Sequence, residues 1–250
     1  MINELSKSEI YTKRMGYTLA EILITLGIIG IVTAIITPTL VTKYQKKVSL
    51  TRLKQAYSII QNAILASQAE NGDPQSWGLN DYINNYDPDN IEQLRKDTLT
   101  QICEKYIIPY IKTSSTPELN TLKNAGWSEY KLLSGQASER PSLTTKNYII
   151  PIINGTTIIA AINGTSTQIV SIIFYIDING PQGPNISGKD GFATELKFSN
   201  GSFGFYGMEQ NDSNLAKLCT NKGTSINGSI GCGAIIYKNG WEYPKNYPWK

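Results

Sequence analysis

Ile22 to Thr42 is a run of 21 residues without Lys, Arg, Asp or Glu, and no other stretch limits the fold as strongly. As a helix rising about 1.5 Å per residue it is long enough to cross a hydrocarbon core of about 30 Å. Lys13 and Arg14 precede it, as they would in a secretory signal, but no small-residue cleavage site follows the apolar residues. The far flank, with Lys43, Lys46, Lys47, Arg52 and Lys54, is more basic than the near one, so flanking charge does not set an orientation. Glu21 sits at the head of the run. A carboxylate costs roughly 2.5–3.5 kcal/mol at mid-membrane and less near an end. Either it is a first-turn acid favoured by the helix dipole, or it requires a cation.

Beyond Leu40, Val48, Leu53, Tyr57, Ile60 and Ile64 recur at three to five residues with Lys and Arg between them, the pattern of an amphipathic helix. The spacing predicts one long helix from Tyr17 to about Glu70, bent at Pro38, where a backbone donor is missing. Asn71-Gly72 and Asp73-Pro74 stop it. A second helix is expected near Ile91 to Ile111, with Leu94, Leu99, Ile102, Tyr106 and Ile107 inward and Pro109 weakening its last turn. Ser114 to Pro117 reads as a loop, and the stretch from there to Pro141 has no assignable period. From Asn147 to Gly180, apolar β-branched runs are interrupted by Asn154-Gly155 and Asn163-Gly164, hairpin signals because a type I′ turn needs positive φ at both central residues. Phe192 to Gly207 adds a hairpin turning at Asn200-Gly201. The Asn-Gly-Thr triplets also match a glycosylation sequon, but they fall where turns are expected. The expected fold class is α+β: a long amino-terminal helix, membrane-spanning in its first half and amphipathic in its second, packed on an antiparallel sheet.

The chemistry open to such a domain is narrow. Histidine is absent, which removes the commonest general base and transition-metal ligand. Cys103, Cys219 and Cys232 form no CxxC pair, which argues against a zinc or dithiol redox site. A net charge of +3 without a compact basic cluster gives no reason to predict nucleic acid as a partner of the head, and no paired catalytic constellation is evident, so the chain is expected not to be an enzyme. One loop stands out. Asp177 to Phe192, "DINGPQGPNISGKDGF", gathers Asp177, Asn179, Asn185 and Asp190 among glycines and prolines just after an apolar strand. Oxygen ligands on a tight loop suit Ca²⁺; the same residues also build Asx-turns. No cofactor is otherwise required.

Lys13-Arg14-Met15-Gly16, then Tyr17-Thr18-Leu19-Ala20-Glu21, then an apolar helix containing Pro38, closely resembles the amino terminus of type IV prepilins and type II secretion pseudopilins. Tyr17 replaces the usual Phe and Ala20 a larger aliphatic. The resemblance covers roughly the first 60 residues. It implies a leader at 1–16, a membrane-spanning and amphipathic helix at 17–70 and an extracytoplasmic head at 71–250. A prepilin peptidase would cut after Gly16 and methylate the amine of Tyr17, and Glu21 would neutralise the amine of a neighbouring subunit, each favouring the other's charged form. The implied function is a structural subunit of a pilus-like or secretion pseudopilus filament. Its implied partners are the peptidase, other pilin or pseudopilin subunits, an inner-membrane assembly platform and the membrane. Its implied place is the bacterial inner membrane, crossed once with the head outside the cytoplasm, and then the filament. The alternative is a membrane-anchored extracytoplasmic binding module that keeps its leader.

Major pseudopilins carry calcium in a head loop, which favours the cation reading at Asp177 to Asp190. In an oxidising compartment Cys219 and Cys232 would close their glycine-rich loop, worth about 3 kcal/mol in the chain-entropy model, as many type IV pilins close a carboxy-terminal loop. Cys103 is then the odd thiol and is expected inside. The tail, with Trp241, Tyr243, Tyr247 and Trp249, is either a partner surface or a cover for the core.

Overall fold

The computed structural model describes residues 16–77, 87–220 and 230–247. Residues 1–15 of the expected leader at 1–16, and Trp249, lie outside them. Contacts divide the chain into two units, Met1–Gln45 and Lys46–Lys250. Helix α1, Leu19–Asn71, is continuous from the first into the second. In the first unit every described residue but the half-buried Thr42 is exposed, including Leu23, Ile31 and Ile35. This is the one helix among the described residues long and apolar enough to cross a membrane, with a mean hydropathy of 2.5 over its most apolar window.

In the second unit α1 turns one stripe inward: Ser49, Leu53, Ala56, Tyr57, Ile60, Ala63, Ile64 and Ser67 are buried, at the three-to-four spacing of one helix face. Val48, expected inward, is only half-buried beside Ser49, because the small side chains of Ser49, Ala56, Ala63 and Ser67 mark the line of closest approach. Helix α1 ends where Gly72, at φ +78°, donates its N–H to Gln68 O, a left-handed stop that suits glycine.

Helix α2, Ile91–Ile102, runs into a π turn at Cys103–Ile107 and a 3₁₀ turn at Ile108–Tyr110. Pro109 offers no N–H and crowds the carbonyl four residues back, and the helix widens just before it, with Ile108 N–H donating to Cys103 O. Cys103 is a free, fully buried thiol, its pKa driven far above the ordinary value by burial and by the charge of Glu104.

Six strands follow, β1 Glu118–Thr121, β2 Lys146–Pro151, β3 Thr157–Gly164, β4 Ile169–Asp177, β5 Gly191–Lys197 and β6 Phe203–Phe205, each antiparallel to the next in one sheet. The fold is α+β. The β2–β3 hairpin turns at Asn154 and Gly155, both at positive φ. Asn163-Gly164 does not make the next turn. Both residues remain paired in β3, opposite Ser171 and Ile169 with a register shift between them, and the chain reverses through Thr165–Gln168, where Thr165 N–H donates to Gln168 O. Gly164 is needed at the shift, since a Cβ there would lie 2.1 Å from Gln168 O. In the turn between β5 and β6 Gly201 is left-handed and Asn200 is not, so that turn is not type I′.

Both faces of the sheet are covered. Ile150, Ile158, Ile172, Phe174, Ile176 and Leu196 join α1 and α2 in the larger core. Ile149, Ile159, Ile173 and Tyr175 join Leu122, Trp127 and Tyr130 in a second one. Helix α3, Asp212–Thr220, and helix α4, Cys232–Lys238, are tied by a Cys219–Cys232 disulfide. Gly233 of α4 sits so close to β6 that a Cβ would fall 2.3 Å from the Phe205 ring. Gly233→Ala should therefore lower the thermal melting midpoint, an overpacking cost of about 1–3 kcal/mol that outweighs the gain of about 1 kcal/mol from better helix propensity. Circular-dichroism melts of the two proteins decide it.

Candidate functional site

Asp177 is the last residue of β4, and the connection from Ile178 to Asp190 brings the chain back into β5. The loop is held from three sides. Helix α1 grips two of its carbonyls, Arg52 Nη1 donating to Ile178 O and Ser49 Oγ to Lys189 O, both at 2.9 Å. The tail adds Tyr247, whose hydroxyl donates to Gly188 O. On the opposite face Lys131 N–H donates to Asn185 O and Ser187 N–H to Lys131 O. Gly188, at φ +88°, packs so tightly on the disulfide that a Cβ would come within 2.7 Å of Cys232 Sγ.

Within this clasp the four oxygen-bearing residues are differently employed. Asp177 is 1% exposed. Its Oδ2 accepts from Trp127 Nε1 at 2.8 Å and from the Tyr130 hydroxyl, and its Oδ1 accepts from the Asn179 N–H at 3.2 Å. Asp190 Oδ1 accepts from the Ile186 N–H. Only the bond from the Asn179 N–H is of the Asx type the sequence allows, and together these bonds do not exhaust the oxygens. Asn179 Nδ2 donates to Gln182 O and Gly183 O, and Asn185 Nδ2 to Ser128 Oγ. Asn179 Oδ1, Asn185 Oδ1 and Asp190 Oδ2 are buried acceptors without a hydrogen-bond donor. An unsatisfied buried acceptor costs about 1–3 kcal/mol, and three in one loop call for a donor or a cation.

The electrostatics agree with the geometry. Burial pushes Asp177 up to about 6, although Tyr130 and Trp127 pull the other way. Asp190 is pushed up to about 7, by burial first and then by the charge of Asp177. Among the described residues no group of three His, Cys, Asp or Glu side chains gathers as a metal centre. Any ion here would rest on two carboxylates and neutral amide or carbonyl oxygens, a set suited to a hard cation such as Ca²⁺ rather than to zinc. Asp177, Asn179, Asn185 and Asp190 are thus brought into one buried loop. Sequence reasoning missed the groups that hold it, Trp127 and Tyr130 from the unassigned stretch and Ser49 from the helix.

Glu21 stands elsewhere. Its Oε2 accepts from both the N–H and the hydroxyl of Thr18 at 2.8 Å, and its own N–H donates to Thr18 Oγ1 at 3.2 Å. Thr18-Leu19-Ala20-Glu21 is a capping box that closes the amino end of α1. Gly16 and Tyr17 precede it outside the helix and are exposed. The tail covers the core: Trp241 lies edge-on to Tyr57 and Phe205 at 5.5 and 5.7 Å, and the Tyr243 hydroxyl is 2.8 Å from Ser49 Oγ.

A carboxyl whose pKa is higher in the folded state binds its proton more tightly there. Its contribution to stability is greatest below its ordinary pKa and is lost as pH rises through the folded value. In a chelating buffer, Asp190→Asn and the parent should melt alike near pH 4. Above pH 7 the variant should melt higher, because it lacks the buried charge of Asp190 and that charge's repulsion of Asp177. A constant difference across that range would show that Asp190 does not titrate in this way.

Comparison with known families gives one match: the sequence model of a family described as "Family of unknown function (DUF6613)" covers residues 39–250. No curated protein and no solved structure matches. The match takes in the amphipathic part of α1 and the whole of the sheet domain, well over half the chain, and this protein therefore belongs to the DUF6613 family.

Proposed function

We propose that this protein is a structural subunit of a pilus-like or type II secretion pseudopilus filament, processed after Gly16 and assembled through its amino-terminal helix. The observation that carries the reading is the state of α1 before Gln45: a run of Leu, Ile and Val with no burial. So much apolar surface needs a lipid or protein environment. The prepilin-like string at Gly16 to Glu21 supplies the rest of the argument. Processing would leave an amine at Tyr17 beside a carboxylate that no basic side chain pairs within α1's first turn, and an acid so placed is suited to another chain's amine.

Intact-mass measurement of the membrane-extracted protein tests the processing. The expected product has lost residues 1–16 and gained one methyl group on Tyr17, whereas a full-length mass favours the leader-retaining binding module. Glu21→Ala should insert into membranes like the parent yet enter filaments several-fold less. Equal incorporation would remove the pairing role.

The same reading assigns a structural Ca²⁺ to the β4–β5 loop, supported by the three donorless oxygens at Asn179, Asn185 and Asp190. When bound, the ion would compensate the two buried carboxylates. Titrating Ca²⁺ into the full chain in detergent should raise its melting temperature, and the double variant Asp177→Ala, Asp190→Ala should not respond. A parent that melts identically with Ca²⁺ and with chelator has no such site.

A further inference from the structure

A concavity of about 570 Å³ lies on the side of the sheet away from α1, between β5, the turn that follows β6 and α3. Its size is within the range of small-molecule pockets. Glu195 on β5 lines it and is nine-tenths buried. One carboxylate oxygen, Oε1, takes the donors the sheet supplies: Ser171 Oγ at 2.5 Å and Asn163 Nδ2 at 3.4 Å. The other, Oε2, receives no donor among the described residues. The carboxylate is therefore fixed in orientation by neighbouring strands with half its accepting capacity unused, in the wall of a cavity.

Around it the lining is mixed. Tyr206 contributes a half-buried aromatic ring, and Gln210 and Asn214 contribute side-chain amides that both donate and accept. Glu195 and Glu209 are offset by Lys197 and Lys217, and Lys197 and Glu209 already pair with each other at 3.1 Å. The lining is formally neutral, so it does not select a charged ligand. A fixed acceptor, amides of both polarities and an aromatic surface are complementary to vicinal hydroxyls on one side of a ring and C–H groups on the other.

The geometry points to a binding pocket for a neutral saccharide, with Glu195 Oε2 accepting from adjacent sugar hydroxyls and Tyr206 covering the apolar side of the ring. The pocket shares no residue with the β4–β5 loop or with α1, and it stands whether or not the chain enters a filament.

The test uses the full chain in a non-glycosidic detergent, so that no sugar headgroup competes. Maltose, cellobiose and N,N′-diacetylchitobiose are titrated by ligand-observed NMR, with Nα-acetyl-lysine amide as a cationic control. At least one disaccharide should bind with a Kd in the millimolar range or tighter, about 1–10 mM, and the lysine derivative should not. Glu195→Gln and Tyr206→Ala should each weaken that binding roughly tenfold or more, the loss of a charge-assisted hydrogen bond or of an aromatic contact. Asn214→Ala, at an exposed position, should weaken it several-fold with an unchanged melting temperature. Absence of binding for all three sugars overturns the proposal. So does binding that survives both Tyr206→Ala and Asn214→Ala, or a Glu195-dependent response to the lysine derivative instead.

Discussion

The covering of β3 and β4 on both faces is the constraint from which the rest of the domain follows. Their side chains alternate between two apolar environments rather than between core and water: Ile158, Ile172, Phe174 and Ile176 enter one core, and Ile159, Ile173 and Tyr175 the other. A sheet of this kind cannot be finished by one amphipathic helix. It needs a second layer, and the segment carrying Leu122, Trp127 and Tyr130 provides it with little regular structure of its own. Two of those aromatic side chains also reach past the apolar layer to Asp177. The group that closes the second core thus positions the carboxylate at the end of the central strand.

Much of this was legible in the sequence, and the gaps have physical causes. The long helix, its inward stripe of Leu53, Tyr57, Ile60 and Ile64, the meander and the turn at Asn154-Gly155 all follow from period and turn chemistry. Asn163-Gly164 carried the same signal but serves a register shift, because turn propensity does not say which of several permissive residues the pairing will use. The stretch from 118 to 141 was unreadable for a related reason. Its burial comes from isolated large side chains, not from a repeating face. In the β4–β5 loop the residue types were informative, whereas the division of each side chain into satisfied and unsatisfied oxygens depended on Trp127, Ser128, Tyr130 and Ile186 and could be found only in three dimensions.

Helix α1 joins two regimes of the same secondary structure. Up to Gln45 the hydrogen bonds of its described side chains, such as Thr37 Oγ1 to Thr33 O, are local to the helix, and its Leu and Ile side chains are exposed. From Ser49 onward small residues let it approach the sheet, and Ser49 and Arg52 bond the carbonyls of Lys189 and Ile178. The family match begins at Thr39, so it spans the packed regime and only the last residues of the exposed one. Sequence constraint in the two parts therefore has different origins: complementarity to a particular sheet and loop in one, and length, apolarity and a defined start in the other.

That defined start rests on the capping box. Both Thr18 bonds converge on Glu21 Oε2, and among the described residues the second oxygen of the carboxylate accepts no hydrogen bond. Fixing the first turn and facing a positive group are consequently separable properties of one side chain. A glutamine at this position would keep an acceptor for the cap and lose the charge, and an aspartate would keep the charge with a reach shorter by one methylene. Glutamate is the residue type that can serve both at once, so under the proposed pairing the first turn of the helix is ordered by its own cap rather than by the other chain.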